Sequence, residues 1–350
     1  MLGTMRAELD RQLEALGRRG HRALVAGSIG RGERVCCGWA ARDEAPDGLS
    51  LFEIGSISKV FTGVLLADMV LRGEVSLEDP LSRHMPGPRP GWRHREPTLL
   101  DLATHRSGLP NVPKGIGRRE LAYSLGLSEK DPWAKVTEAE YQRLVTREAP
   151  RRAPGGRVRY SSLAVGLLGD ALAARAGKGY EELLDERVLE PLGMDATAVS
   201  VAPRWSARLL EGHSRRGRLR PPIEDFMPAA GSLRSNADDM LRFLTACLEP
   251  PAEPPGPALA LAQEPRARMG RGLAIGLGWM ISRRSRHPKL VWHNGGTWGF
   301  RSFAGFAPEH GTAAVLMSDT ARGVDRLGLR LVEQADGGQD LESSRRRSSR

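Results

Sequence analysis

Aromatic residues make up only 5% of this 350-residue chain, too few to interleave with its basic clusters as a nucleic-acid surface requires. Those clusters, at Arg151-Arg152, Arg157/Arg159, Arg215-Arg216, Arg283-Arg284 and Arg345-Arg346-Arg347, fall in expected loops or the tail. The net charge of +10 therefore reads as a solvated, arginine-rich surface, with an acidic substrate or carrier partner as the other reading. Cysteine is scarce: Cys36, Cys37 and Cys247 give an odd count without Cys-x-x-Cys spacing. His-Glu-x-x-His is also missing, so neither a disulfide framework nor a zinc site is expected. No run of 18 uncharged apolar residues exists, which leaves no candidate membrane span. The first ten residues lack the basic-then-apolar layout of a secretory signal and read as an amphipathic helix to about Leu16. A cytoplasmic location is the expectation from that pattern. There is no internal repeat, and no Gly-x-Ser-x-Gly elbow to suggest an α/β-hydrolase.

What is present is ordinary for a soluble globular protein: 40% hydrophobic and 27% charged residues, enough for one large domain or two lobes. Segments 22–29 and 34–40 read as strands joined by a hairpin at Gly30-Arg31-Gly32-Glu33. A helix opens at 56–59, carries Phe61, Leu65 and Met69 at helical spacing, and ends at Gly73. Residues 80–160 are irregular, with short helices near 97–104 and 137–146. Segments 163–176 and 180–190 read as helices, and Ser235-Asn236-Ala237-Asp238 caps another that runs through Cys247. The Pro/Ala-rich stretch 249–266 reads as a surface excursion. From 272 the period changes to strands, at 273–283, 289–294, 299–307 and 312–318, before a last helix at 322–333. Strands at both ends around a helical middle predict an α+β fold: one antiparallel sheet built from both chain ends, flanked by helices, with an inserted mainly helical lobe. The expected division is 1–80 with 270–335 as the sheet lobe, 81–269 as the helical and irregular lobe, and 336–350 as a disordered tail.

Ser56-Ile57-Ser58-Lys59 is the most informative cluster. Residues three apart share a helix face, so Lys59 places an amine one turn from the Ser56 hydroxyl, the arrangement of a nucleophile with its own base. The free N–H groups and positive end of the helix would favour an oxyanion there. With only six lysines, chance supplies roughly 0.4 Ser-x-x-Lys matches in such a chain, so the cluster needs company.

That company is Leu100-Asp101-Leu102-Ala103-Thr104-His105-Arg106-Ser107-Gly108-Leu109-Pro110, Pro154-Gly155-Gly156 ahead of Tyr160-Ser161-Ser162, Pro191-Leu192-Gly193-Met194, Gly231-Ser232-Leu233 and His293-Asn294-Gly295-Gly296. In this order the segments, spread over 20–335, resemble the serine β-lactamase and penicillin-binding-protein superfamily, in its class C and esterase-like branch. Arg106 stands where the His-Thr-Ser-Gly-Leu-Pro loop has threonine, and His293 where many β-lactamases have lysine.

The resemblance implies a β-lactamase/transpeptidase-like fold and acyl transfer through an ester on Ser56. It makes Lys59 the base and Tyr160 the group that delivers a proton to the leaving group or activates the deacylating water. The N–H groups of Ser56 and Gly296 would form the oxyanion hole. Ser162, His293, Gly295 and Trp298 would line the substrate site. Ser162 replaces an amide side chain, and either contacts substrate or caps the helix starting near Leu163. His293 would orient Tyr160 or a substrate carboxylate, with a charge that varies near neutral pH. Asn294 would alternate away from the cleft, and His105 would brace its loop. The function implied is a cytoplasmic serine hydrolase of small esters or amides. Its alternative is a transacylase that passes the same acyl group to an alcohol or amine. A β-lactamase, a D-Ala-D-Ala peptidase and a non-catalytic binding module rank lower. No cofactor, metal, nucleic acid or membrane partner is implied.

Overall fold

The two ends of the chain meet in one sheet. The computed structural model describes residues 2–334 except 43, 86, 88, 125–127, 129, 134–135, 151, 224–226 and 284–288; the tail expected to be disordered lies outside the described residues. In chain order the strands are β1 (Ala23–Gly30), β2 (Glu33–Ala40), β3 (Phe52–Glu53), β4 (Arg234–Ser235), β5 (Ala267–Gly270), β6 (Leu273–Ile275), β7 (Met280–Ser282), β8 (Leu290–Gly296), β9 (Arg301–Ala307) and β10 (Thr312–Ser318). Eight form one sheet in the order β2-β1-β10-β9-β8-β7-β6-β5, every pairing antiparallel. Leu24 faces Ser318 and Ile29 faces Ala313, so the first strand zips to the last. β3 and β4 make a separate two-stranded pair.

Helices cover both faces of the sheet, which is why β1 and β10 are buried along their whole length instead of alternating. On one face, Leu9 and Leu13 of the Leu2–Gly17 helix and Leu327 and Leu331 of the Asp325–Gln334 helix pack on Leu24, Ala26, Phe303 and Leu316. On the other lies a larger core shared by the sheet and the inserted helices Ser58–Leu71, Ser162–Ala176 and Ala237–Leu248. Ser58 through Met69 are all buried, so the helix that follows Ser56 is apolar all round and sits inside the protein. A run of rings ties it to the sheet: Phe61 stacks on Phe243 at 4.4 Å, Phe243 on Trp279 at 6.2 Å, and Trp279 meets Phe306 edge-on at 5.3 Å. Phe243→Ala empties the middle of that run and is expected to cost about 3–5 kcal/mol in urea unfolding. A loss under about 1 kcal/mol would mean that the surrounding rings collapse into the gap.

The structure corrects several sequence expectations. Segment 249–266 is no surface excursion: the Gly256–Ala262 helix buries Ala258, Leu259 and Ala262 in the main core. Pro250, Pro251, Pro254, Pro255 and Pro257 give the segment a loop composition that masks the apolar run 258–262. The stretch expected as one strand at 273–283 is β6 and β7 joined by a turn. β8 continues to Gly296, β9 starts at Arg301, and β5 enters the sheet ahead of residue 270. Lys114–Ser124, expected to be irregular, is helical.

Candidate active site

Ser56 sits in a 3₁₀ turn, Gly55–Ile57, that runs into the Ser58–Leu71 helix. Gly55 makes the entry with φ +53°, a conformation costly for any residue with a side chain. The turn is pinned on three sides. Ser58 Oγ donates to the Gly55 carbonyl at 2.7 Å and accepts from the Leu233 amide at 3.1 Å. The Ile54 amide donates to the Leu233 carbonyl at 3.0 Å, and Ser302 Oγ donates to the Ile54 carbonyl at 2.8 Å.

Lys59 is 1% exposed. Its Nζ donates to Ser56 Oγ at 3.0 Å and to the Ala230 carbonyl, and makes no ion pair among the described residues. Thr62 fixes that backbone from the next helical turn, donating to the Ala229 carbonyl at 2.7 Å beside the Tyr180 hydroxyl. The amine is thus aimed at the half-buried Ser56 oxygen by a carbonyl, with no carboxylate to hold it as a permanent ion pair.

β8 supplies the opposite wall. A Cβ built on Gly55 would lie 2.6 Å from the Gly296 amide nitrogen, which places that N–H against the turn carrying Ser56. Three residues earlier His293 is 1% exposed and faces the cleft, while Asn294 points to the other side, where Nδ2 donates to Asp325 at 3.1 Å. Gly295 presses on the Ile54 carbonyl: a Cβ there would stand 1.9 Å from that oxygen.

Tyr160 completes the group. Its ring lies 5.0 Å from Lys59 Nζ, 4.5 Å from the His105 ring and 6.4 Å from the His293 ring, centre to centre for the ring pairs. The 105–111 loop holds it by a zipper of bonds. The Arg159 amide donates to the His105 carbonyl at 2.8 Å, the Ser161 amide to His105 Nδ1 at 3.3 Å, and the Leu163 amide to the Asn111 carbonyl at 2.8 Å. Arg106 Nε donates to the Gly155 carbonyl at 3.0 Å, so the arginine in place of threonine ties this loop to the Pro-Gly-Gly turn. The cap of the Ser162–Ala176 helix is Ser161, not Ser162. Ser161 Oγ accepts from the Ala164 amide at 3.0 Å and donates to the Pro110 carbonyl at 2.6 Å. Ser162 is half-buried in the first turn, its amide on Asn111 Oδ1 at 3.1 Å. Ser161→Ala removes both bonds next to Tyr160, and a loss of about 1–2 kcal/mol in thermal unfolding is expected. An unchanged midpoint would show that Asn111 alone suffices.

The expectation that His293 changes charge near neutral pH is corrected. Burial, then the nearby Lys59 charge, push its pKa down to about 3; the same causes, with His293 itself, bring His105 to about 3. Burial also takes His21 to about 4. These imidazoles stay neutral in the folded state while the unfolded chain protonates near 6.5. The unfolded state therefore binds more protons between those values, and stability falls as pH drops below 6.5. From pH 7 to pH 5 each contributes a loss on the order of 2 kcal/mol. Urea unfolding across that range checks it, and a slope unaffected by His21→Asn would contradict the assignment for His21.

Trp298, half-buried two residues beyond Gly296, packs edge-on against Tyr123 at 4.8 Å, and the Arg220 guanidinium lies 4.5 Å above the Tyr123 ring. Tyr123, Arg220, Ser161, Asn111 and the Ala230 carbonyl escaped the sequence reading. A backbone carbonyl leaves no signature in side-chain type, and Tyr123 belongs to a helix that was not foreseen.

Comparison with known proteins concerns the chain as a whole. A sequence model described as Beta-lactamase matches residues 9–337. A D-alanyl-D-alanine-carboxypeptidase/endopeptidase, AmpH, of Escherichia coli K12 is 29% identical over 310 residues, 83% of this chain and 75% of the relative. A beta-lactamase of the same strain is 30% identical over 203 residues, 57% of this chain and 48% of the relative. A beta-lactamase of Pseudomonas fluorescens is 25% identical over 304 residues, 77% and 79% respectively.

Proposed function

This chain belongs to the beta-lactamase family, and on that premise we propose that it is a serine hydrolase that cleaves a small ester or amide through an acyl-enzyme on Ser56. The observation that carries the reading is the 3.0 Å contact between Lys59 Nζ and Ser56 Oγ at the mouth of a buried helix, with the Gly296 amide alongside. Ser56 Oγ attacks the substrate carbonyl as Lys59 takes its proton, and the oxyanion is held by the Ser56 and Gly296 N–H groups. Collapse breaks the bond to the leaving group, which leaves protonated by Tyr160. Lys59 returns its proton to Tyr160, so the Ser56 hydrogen has in effect reached the leaving group. Water then attacks the ester, gives up a proton by the same route, and releases the acid with Ser56 restored. The relatives' names include cleavage of D-alanyl-D-alanine and β-lactam amides, which supports amide as well as ester chemistry.

The test is intact-mass measurement after incubation with a fluorophosphonate or a penicillin. One adduct is expected, lost in Ser56→Ala and kept in Ser58→Ala. Labelling that survives Ser56→Ala would end this reading.

A further inference from the structure

Just past the Gly296 amide, three segments distant in sequence converge. Trp298, in the turn between β8 and β9, meets Tyr123 of the Lys114–Ser124 helix, and the Arg220 guanidinium lies over the Tyr123 ring. Backbone holds Arg220 in that place. It closes a hairpin in which its amide donates to the Gly212 carbonyl at 2.8 Å and the Ser214 amide to the Arg218 carbonyl at 2.7 Å. The hairpin base is seated on the turn that follows Trp298. There the His213 amide donates to the Gly299 carbonyl at 3.1 Å, and a Cβ built on Gly299 would stand 2.4 Å from the Gly212 Cα. Beyond Arg220, Pro221-Pro222 stiffen the chain, and the Ile223 amide donates to Glu53 Oε1 at 2.8 Å.

The fold thus fixes a half-buried guanidinium, and among the described residues no acceptor takes its N–H groups. Arginine carries its donors in a planar fork that matches a carboxylate. Arg215, Arg216 and Arg218 are exposed on the same hairpin, and no acidic residue lies between 212 and 220. Their field favours an anion at this spot.

We infer that Arg220 is a specificity-determining residue that holds a carboxylate on the acyl part of the substrate, with Trp298 and Tyr123 as the apolar shelf under the acyl body. The inference rests on the acyl-enzyme reading above. The side of the carbonyl follows from β8. Tyr160, which protonates the leaving group, stands at the His293 end, its ring 6.4 Å from that imidazole. Trp298 stands beyond Gly296, and the strand between His293 and Gly296 spans about 10 Å. Leaving group and acyl body diverge from the carbonyl carbon, so the acyl body runs toward Trp298. Two residues of chain separate Gly296 from Trp298, at most about 7 Å, a span that one aromatic ring fills. The substrate class is an ester or amide of a flat, apolar acid with a second carboxylate at its far end.

The probes are the 4-nitrophenyl esters of 4-carboxyphenylacetic acid and of 4-carbamoylphenylacetic acid, alike in size and leaving group but different in charge. The phenylacetyl ester of 3-hydroxybenzoate moves the carboxylate to the leaving group. Calorimetric titration of the Ser56→Ala protein reads binding without turnover. The 4-carboxy ester is expected to bind at least about 10-fold more tightly than the carbamoyl ester, the scale of a charge-assisted hydrogen bond. Adding Arg220→Gln is expected to bring that ratio near one, and Arg220→Lys to leave it in between. Added salt is expected to shrink the ratio with Arg220 in place, a check that needs no second variant. With Ser56 intact, kcat/KM for the two nitrophenyl esters is expected to show the same preference. Equal affinities, a ratio that Arg220→Gln leaves in place, or a stronger preference for the carboxylate on the leaving group would each overturn the assignment. Failure of the acyl-enzyme reading shows differently, as an adduct that survives Ser56→Ala, and leaves the binding ratio to be judged on its own.

Discussion

Lys59→Met will slow acylation of Ser56 by at least about 100-fold, the usual scale for a positioned base. Methionine keeps the apolar stem and most of the volume, so the buried helix stays filled while the nitrogen 3.0 Å from Ser56 Oγ disappears. Lys59→Arg is expected to lose as much, because a guanidinium does not give up its proton at working pH. The measurement is the rate of fluorophosphonate adduct formation, with unfolding followed in parallel to show the fold intact. A rate near wild type in the methionine variant would move the base elsewhere, with Tyr160 the next group in reach.

Gly295→Ala is expected to lower kcat by about 10²–10³, the loss seen when one oxyanion donor goes. A methyl group at this position would meet the Ile54 carbonyl at 1.9 Å and Ser302 Oγ at 2.2 Å. Neither can step aside freely: Ser302 Oγ bonds the same Ile54 carbonyl, and Ile54 is held by Leu233. β8 must therefore lift off the turn, carrying the Gly296 amide away from Ser56. Gly270→Ala, on the sheet edge with open space around it, is the control and should stay within about 0.5 kcal/mol and near full activity. If KM rises while kcat holds, Gly295 serves substrate fit and not the oxyanion.

The family and the sheet were legible in the sequence because strands cluster at both ends and the motifs fall in one order. Ser56 and Lys59 were legible because a helix places residues three apart on one face, and the structure puts their polar atoms 3.0 Å apart. What could not be read was set by partners distant in sequence. The choice of Ser161 over Ser162 as cap depends on Pro110 and Asn111, some fifty residues earlier. His293 reads as a titrating group until burial and Lys59 are known, and both are products of folding. The Gly256–Ala262 helix was hidden because the prolines ahead of it read as a loop.

The pairing of β1 with β10 has a consequence for synthesis. As the nascent chain leaves the ribosome, the β1–β2 hairpin has a bare edge until its proper neighbour, β10, follows from far along the chain. Loop closure on that scale is slow, and an unpaired apolar strand invites the edge of another chain. Starting the same ring of structure at a point within the middle of the chain, by circular permutation, would deliver β10 and β1 together and should raise soluble yield wherever that wait limits it.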